Sequence, residues 1–224
     1  MSTFVRARQP EQKEERRCHL LATARSLLDD GMPLHALSLN ELARQASMTK
    51  SNVYRYFESR EAVLLDLLRE EWFAWFAALT STWTPPPPTA PSPLRHLTRH
   101  LAHTLAARPT LCLLTAVLPS VLEQNLSEDA IGDFKQMSLA FFNEVATFMV
   151  TIVPGLPHDV GVHLLHDGVV VLTGLYPYAH PAEAVQRALR ATPEFAVFAR
   201  DFEADLARLL YAIAADMVAS SSPR

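Results

Sequence analysis

Apolar residues recur at intervals of three and four along nearly the whole chain, and strand-like alternation is almost absent. This spacing places apolar side chains on one face of a helix, so an all-α fold is the expected class. Only six glycines occur among 224 residues, and hydrophobic residues make up 49% of the chain. That composition is typical of a globular protein and excludes a disordered or collagen-like chain.

The N-terminal part of the chain predicts three helices and the start of a fourth. The first is expected over 11–31, where the glycine at its end can adopt the left-handed conformation that stops a helix. The second is expected to begin at Ser38, because Ser38 and Glu41 form a capping box that satisfies two backbone donors. A very short third helix is predicted over 49–57, and a long fourth helix from Ser59, which can cap it.

Six prolines among the ten residues 84–93 predict an exposed loop, because proline stiffens the backbone and prevents a helix from continuing. The long fourth helix precedes this loop, so the loop should interrupt the second domain rather than separate two domains. The expected domains are therefore 1–60 and 61–224. Beyond the loop the pattern predicts helices over 93–106, 109–123, 127–153, 157–176, 181–190 and 193–219.

The joint between the second and third helices consists of Ser47, Met48 and Thr49. So short a joint indicates a helix-turn-helix, whose second helix enters a DNA major groove. Successive helical residues lie about 100° apart, which puts Val53 and Phe57 on the inner side of the third helix. The opposite side carries donors, an aromatic ring and cations that can reach base edges and phosphates. These residues are Lys50, Ser51, Asn52, Tyr54 and Arg55.

The string over residues 39–65, LNELARQASMTKSNVYRYFESREAVLL, resembles the DNA-binding region of TetR-family transcriptional regulators. The resemblance covers roughly residues 11–68 by motif. The rest of the chain resembles the family only in its general plan of a second helical domain. Three positions depart from the family pattern. Ser47 stands where the family usually has glycine in the turn, Ser51 where a glycine or other small residue is often seen, and Arg60 where lysine is commoner.

The resemblance implies a set of DNA contacts on and around the third helix. An alternative remains open, in which Tyr54 and Tyr56 pack on the fourth helix and the arginines form a solvated face. Arg6 and Arg8 are expected to add a flexible arm along the DNA backbone or minor groove. The implied contacts are Ser38, Thr49, Lys50, Ser51, Asn52, Tyr54, Arg55, Tyr56 and Arg60.

In this family the second domain binds a ligand and forms a dimer, and two apolar stripes here suit a two-fold four-helix interface. Gly161 and Gly168 would permit a close backbone approach in the first stripe. The alternative is that both stripes are ordinary core. The first stripe consists of Val162, Leu165, Val169, Leu172 and Tyr176, and the second of Phe195, Phe198, Phe202, Leu206, Leu209 and Ile213.

A ligand pocket in the second domain is predicted from aromatic and thioether side chains with a few polar groups. Cores share this composition, so ordinary core residues are the competing interpretation. The candidate lining is Trp72, Trp75, Phe76, Met137, Phe141, Phe142, Phe148 and Thr173, with His100, His103 and His166 as polar members.

Histidines are concentrated on one face of the helix expected over 93–106. They lie nearly opposite that helix's apolar stripe, which leaves a solvated face, a polar pocket lining and a metal site as alternatives. The residues concerned are His96, His100 and His103, to which His163, His166 and Asp167 could be added. No metal ligand set is assigned among them.

Catalysis is not expected, because no nucleophile elbow, His-Glu zinc motif or Gly-rich phosphate loop occurs in the sequence. No cofactor is expected for the same reason. No apolar stretch approaches the roughly 20 residues that span a bilayer, and the N-terminus lacks the apolar segment of a secretory signal. A cytoplasmic protein is predicted, in which Cys18 and Cys112 are reduced, buried thiols.

The sequence as a whole predicts a ligand-responsive repressor that binds a palindromic DNA operator as a homodimer. Its effector is a small molecule whose identity does not follow from the sequence. Two alternatives stay open: a helical small-molecule or metal-binding protein with a vestigial helix-turn-helix, and a transcriptional activator. The sign of regulation depends on where the operator lies relative to the promoter.

Overall fold

The computed structural model describes residues 4–87 and 92–221, and for residues 4–10 and Asn125 it describes the backbone alone. Within these ranges the regular structure is helical and no strand occurs, which confirms the all-α prediction. The helices are α1 Phe4–Asp29, α2 Leu39–Gln45, α3 Lys50–Val53, α4 Arg60–Ser81, α5 Pro93–Ala106, α6 Pro109–Val117, α7 Glu128–Ile152, α8 His158–Ala179, α9 Glu183–Ala191 and α10 Phe202–Ser221. Short 3₁₀ helices cover Leu34–Ala36, Glu123–Asn125 and Pro193–Phe198, and a π-helical turn covers Leu118–Leu122.

Serine side chains cap the starts of four helices, which explains why these helices begin where they do. Ser38, Ser59, Ser92 and Ser127 each accept a hydrogen bond from the backbone N–H three residues later, at 3.0 to 3.4 Å. Each bond satisfies one of the backbone donors that a helix start leaves without a partner. At the other end of α1, Gly31 adopts a φ of +88° and stops the helix as expected.

Two helix starts differ from the prediction. Helix α1 begins at Phe4 and not near Glu11, because Pro10 costs the helix one backbone hydrogen bond without ending it. The helix expected over 193–219 is broken: Pro193–Phe198 is a 3₁₀ helix, and α10 starts only at Phe202. The carboxylate of Asp201 accepts the backbone N–H of Ala204 at 3.0 Å and so starts α10 anew.

The described chain divides into two compact units, with their boundary in α4 between Glu71 and Trp72; residues 119–126 belong to the first unit. The predicted domain boundary near residue 60 lies earlier in the chain. The first unit has a leucine-rich core that is fully buried. Arg17 pairs with Asp66, and Arg25 pairs with both Glu70 and Glu71, so ion pairs join α1 to α4 within this unit. The buried core includes Leu20, Leu21, Leu42, Leu64, Leu67 and Leu68.

The second unit is built from helices packed around α8. Helix α8 packs against α6, α7 and α10, and α10 also packs against α5. At Gly161 the backbones of α7 and α8 come close together, since a Cβ atom placed there would lie 3.0 Å from the Cβ of Ala146. Glycine suits this crossing, because a side chain there would require the two helices to move apart by a few tenths of an ångström.

The two cysteines are free thiols in different surroundings. Cys112 is buried, and burial raises the pKa of its thiol to about 12, so this thiol stays protonated at neutral pH. Cys18 is exposed, which corrects the expectation that both thiols are buried. Its position on the outer face of α1 explains the difference.

No single helix in the described ranges is long and apolar enough to cross a bilayer. The pair Pro93–Ala106 and Pro109–Leu122 reaches the required length and composition only when joined, and it is bent by 92°.

Candidate nucleic-acid interface and ligand cavity

The turn between α2 and α3 depends on a left-handed residue. Ser47 adopts a φ of +54°, and the following N–H of Met48 donates to the carbonyl oxygen of Ala43 at 2.9 Å. This conformation closes α2 and lets the chain reverse within a few residues. A non-glycine residue is strained there, so Ser47 occupies a position that glycine would take without cost.

We expect the Ser47→Gly variant to be more stable than the natural protein, by about 0.5 kcal/mol in the free energy of unfolding. Relief of left-handed strain contributes about 1–2 kcal/mol, and the greater entropy of unfolded glycine removes about 0.4–1 kcal/mol of it. Urea denaturation monitored by circular dichroism measures the difference. Ser51→Gly is the matched control, because Ser51 lies in helical α3 and its change should destabilise. Destabilisation by both variants would contradict the strain at Ser47.

The inner side of the α3 region anchors it to the first unit. Val53 is fully buried, and Phe57 is 2% exposed. The guanidinium of Arg17 lies 5.7 Å from the centre of the Phe57 ring, in cation–π range. Helix α3 ends at Val53, short of the predicted 49–57, and Phe57 follows the turn after it. These two buried residues together fix the orientation of the region and decide which side chains face outward.

The outer side presents the polar residues that the sequence singled out. Thr49 caps α3: its Oγ1 accepts the N–H of Asn52 at 3.4 Å and lies 3.2 Å from the hydroxyl of Ser51. Tyr54 is 49% exposed, and the ammonium of Lys50 lies 5.7 Å from its ring centre. Thr49, Lys50, Ser51, Tyr54 and Arg55 are exposed, while Asn52 and Tyr56 are half-buried. Hydroxyl, amide, ammonium and guanidinium donors thus share one accessible face.

The other residues predicted to contact DNA do not share this exposed face of α3. The hydroxyl of Ser38 is engaged in capping α2. The guanidinium of Arg60 donates from Nη2 and Nε to the Glu61 carboxylate at 2.7 and 3.0 Å, so a neighbouring acid already neutralises it. Arg6 and Arg8 belong by their backbone to α1, which replaces the expected flexible arm with a helix. Their side chains lie outside the described residues.

A basic cleft beside α3 was not predicted. Gln12, Lys13 and Arg16 of α1 line it together with Arg55 and Tyr56, around a volume of about 370 Å³. The basic residues of α1 are visible in the sequence, but their position beside Arg55 depends on how α1 crosses the helix-turn-helix. The cleft extends the cationic surface onto α1.

Aromatic rings surround a small apolar cavity in the second unit. The ring of Trp72 stacks on Phe141 at 5.4 Å and contacts Phe142 at 5.6 Å. The indole N–H of Trp75 donates to the hydroxyl of Thr104 at 3.0 Å, which satisfies its one polar atom. The cavity holds about 60 Å³ and is lined by Trp72, Trp75, Leu101, Leu105, Leu111, Thr115, Phe141, Phe142, Leu164, Leu165, Gly168, Val169, Leu172 and Leu210.

The predicted lining agrees with this cavity in part. Trp72, Trp75, Phe141 and Phe142 line it, and the leucines were missed because a leucine in a pocket has the same pattern as one in a core. Four other predicted residues are outside the lining. Phe76 and Phe148 pack ring to ring at 6.1 Å, Thr173 donates to the carbonyl of Val169 at 2.8 Å, and Met137 is half-buried on α7.

Three histidines of α5 line an open cleft of about 660 Å³ between α5 and α10. The Nε2 atoms of His96 and His100 lie 2.8 and 3.0 Å from backbone carbonyl oxygens. Both rings also pack edge-on against Trp83, at 5.0 and 5.2 Å. The Nδ1 of His103 lies 3.0 Å from the Glu203 carboxylate. These histidines therefore hold neighbouring segments in place.

The histidines of α8 stand apart from this cleft. His163 and His166 are exposed, and the Nδ1 of His166 lies 3.4 Å from the Asp167 carboxylate. Neither His163 nor His166 lines the apolar cavity. In the described part of the chain, no group of three or more histidine, cysteine or acidic residues is arranged to hold a metal ion.

The apolar stripes predicted for a dimer interface divide between core and surface. Leu165, Leu172, Phe202 and Leu206 are at most 9% exposed and are core residues of the single chain. They are buried because the same spacing turns these faces of α8 and α10 toward each other. Of the others, Val162, Val169, Tyr176, Leu209 and Ile213 are half-buried, and Phe195 and Phe198 are exposed.

Two family models match the chain and together cover most of it. Residues 69–219 match the model described as "Tetracyclin repressor-like, C-terminal domain". Residues 20–67 match the model described as "Bacterial regulatory proteins, tetR family".

Individual relatives match the chain over different lengths. The HTH-type transcriptional regulator EthR of Mycobacterium tuberculosis is 46% identical over 55 residues, which cover 25% of this chain and 25% of EthR. A crystal structure described as a TetR-family regulator of Syntrophomonas wolfei superposes with a TM-score of 0.52 at 12% identity, covering 93% of this chain and 97% of that one. The fatty acid degradation regulator FadR of Bacillus halodurans superposes with a TM-score of 0.50 at 13% identity, covering 93% of this chain and 97% of FadR. At these identities the structures show a shared fold.

Proposed function

The chain belongs to the TetR family of bacterial transcriptional regulators, and from this premise we propose that it is a ligand-responsive repressor. It acts in the cytoplasm as a homodimer bound to a palindromic operator. Residues 1–60 form the DNA-binding domain, and residues 61–224 form the ligand-binding and dimerisation domain.

The outer face of α3 carries the DNA-binding part of this proposal. Val53 and Phe57 are buried beneath α3, so Lys50, Tyr54 and Arg55 are held outward by packing. Arginine and lysine can donate to guanine O6 and N7, while tyrosine and serine reach phosphates and base edges. The cleft of Lys13 and Arg16 beside Arg55 supplies further cations for the DNA backbone.

The apolar cavity carries the ligand part of the proposal. Ligand sites commonly enclose about 300–1,000 Å³. The cavity holds only about 60 Å³, so an effector must displace lining side chains. Trp72 is one of the largest of these and lies on α4, which runs unbroken from Arg60 to Ser81. An apolar small molecule that moves Trp72 would therefore move the helix that begins next to the recognition helix.

This coupling needs little energy. A change of about 1–3 kcal/mol between the liganded and free forms alters operator affinity roughly 5- to 150-fold. Equal operator affinity with and without every effector found would contradict the coupling.

Dimerisation is assigned to the outward faces of α8 and α10. The single chain leaves Val170 and Tyr178 60% and 72% exposed, and together with Leu175 and Leu209 they border a groove of about 430 Å³. Exposed apolar patches of this kind mark interaction surfaces. We name this surface the α8–α10 face; it consists of Val170, Val171, Gly174, Leu175, Tyr178, Arg200, Asp205, Arg208 and Leu209.

Selection of bound duplexes from a random DNA pool tests the proposal, followed by titration of the best duplex at two salt concentrations. We expect a palindromic site with half-sites about one helical turn apart, because the two recognition helices are related by a two-fold axis. Affinity should fall steeply with salt as neutralised phosphates release counterions. Absence of enrichment by correctly folded dimer would reject DNA recognition and leave small-molecule binding as the function to pursue.

A further inference from the structure

Residues 181–199, which we name the arm, pack little against the unit that carries them. Every residue of the arm is exposed except Pro181, Leu189 and Thr192, which are half-buried. Helix α9 packs mainly against the 3₁₀ helix that follows it in the same arm. An ordered helix in a compact domain normally buries one face, so this arrangement lacks a covering surface.

The arm is amphipathic in spite of its exposure. At about 100° per residue, Ala184, Val185, Ala188 and Leu189 fall on one side of α9, and the charged residues fall on the other. The segment after α9 adds Phe195, Val197 and Phe198, which are 39%, 69% and 60% exposed. The rings of Phe195 and Phe198 meet edge-on at 6.1 Å, and together they form one apolar cluster.

Two observations and the symmetry of a closed dimer indicate a second copy of this chain as the surface that covers the arm. The arm starts just after Tyr178, so its apolar cluster continues the α8–α10 face along the chain. Arg200 borders the groove and Glu194 lies on the arm, and neither has an ion-pair partner among the described residues. Two copies related by a two-fold axis would each offer one arm and one face, which is the self-complementarity that closes a dimer.

The charge of the arm does not suit binding to an anionic lipid surface or to DNA. Glu183 and Glu194 balance Arg187 and Arg190, and even with Arg200, which follows the arm, the net charge is only +1, well below the cationic excess that draws a helix to anionic lipid or to DNA. We propose that the arm of each protomer packs its apolar cluster on the α8–α10 face of the second copy, with Glu194 facing the partner's Arg200. This inference rests on the homodimer of the proposed function and adds a second element to its interface.

Sedimentation equilibrium of a variant carrying Val197→Asp and Phe198→Asp tests the arm. Both side chains are largely exposed in the single chain, so the variant should keep its helicity by circular dichroism. We expect its dimer dissociation constant to rise roughly 100-fold, because buried aromatic side chains dominate interface energies. The matched control is Leu139→Asp on α7, where the side chain is 56% exposed and lies outside the arm. The dimer dissociation constant of this variant should stay within about threefold of the natural value.

A mixing experiment tests the charge pair between copies. Glu194→Arg and Arg200→Glu should each weaken the homodimer, because like charges then meet across the interface. Mixed together, the two variants should form a heterodimer in preference to either homodimer, since both pairs regain opposite charges. Native mass spectrometry measures the proportions. A statistical mixture would reject this pairing.

The outcomes separate the arm from the proposed function. A natural protein that dimerises while the arm variant keeps the same dissociation constant overturns the arm alone. An arm variant with unchanged dimerisation but a lower melting temperature as a dilute monomer would mean that the arm folds back on its own chain. A natural protein that is monomeric at every concentration would reject both the homodimer and the arm.

Discussion

Replacing Arg55 by alanine should abolish sequence-selective DNA binding while leaving helicity and dimer mass unchanged. Arg55 is exposed on the outer face of α3 and has no ion-pair partner among the described side chains, so the fold does not depend on it. A bidentate contact to a base is worth about 1–3 kcal/mol, and the dimer would lose it twice, about 2–6 kcal/mol in all. That loss lowers specific affinity by roughly 30-fold to more than 10⁴-fold. Tyr54→Ala, which also removes the ring beside Lys50, should have the same effect.

Fluorescence anisotropy with the selected duplex and a scrambled duplex measures both affinities. Arg69→Ala is the control: it removes the same charge from an exposed position further along α4. It should change the two affinities by similar small factors. If both Arg55→Ala and Tyr54→Ala retain the natural preference for the operator, α3 is not the helix that contacts the bases.

Trp72→Ala should destabilise the second unit by about 3–5 kcal/mol, the usual cost of truncating a buried tryptophan. The indole is 5% exposed and packs against the rings of Phe134, Phe141 and Phe142 at 5.4 to 5.6 Å. Its removal enlarges a cavity that already exists, and the surrounding rings can close only part of the new space. Differential scanning calorimetry should show a lower melting temperature for this unit.

Phe73→Ala is the matched control for this change. Phe73 is the next residue of α4 and also contacts Phe141, edge-on at 5.4 Å, but it is 45% exposed. We expect Phe73→Ala to lower the free energy of unfolding by less than about 1.5 kcal/mol, because much of the Phe73 ring already faces water. Equal losses in the two variants would mean that Trp72 does not hold the core of this unit. In Trp72→Ala the operator affinity should also lose its response to effector.

The local features of the fold could be predicted from the sequence because their causes are local. The Ser38 cap and the turn through Ser47 act within a few residues, and the inner positions Val53 and Phe57 follow from helical spacing. The Glu41 carboxylate, which was predicted to complete the capping box, accepts instead from Arg44 and Gln45. The start of α10 at Phe202 could not be predicted in this way. Its cause is the cap by Asp201, which competes with a pattern that also suits an uninterrupted helix.

Features that depend on distant contacts were beyond the sequence. Leu165 and Leu206 have the spacing of an interface stripe, and only the packing of α8 on α10 shows that they are core. The candidate site has the same limit: Lys13 is visibly basic, but its place beside Arg55 depends on the path of α1. The pairing of Arg60 with its neighbour Glu61 is a rotamer choice that spacing does not specify.

The ion pairs between α1 and α4 make the first unit mechanically stiff. Arg17 is tied to Asp66 and Arg25 to Glu70 and Glu71, above a core of fully buried leucines. Helices so joined rotate together as a lever rather than slide past each other, because close-packed interiors resist shear. On the proposed function, a small turn of α4 would therefore carry α1 with it, and we expect DNA release through a change of helix angle rather than through local melting.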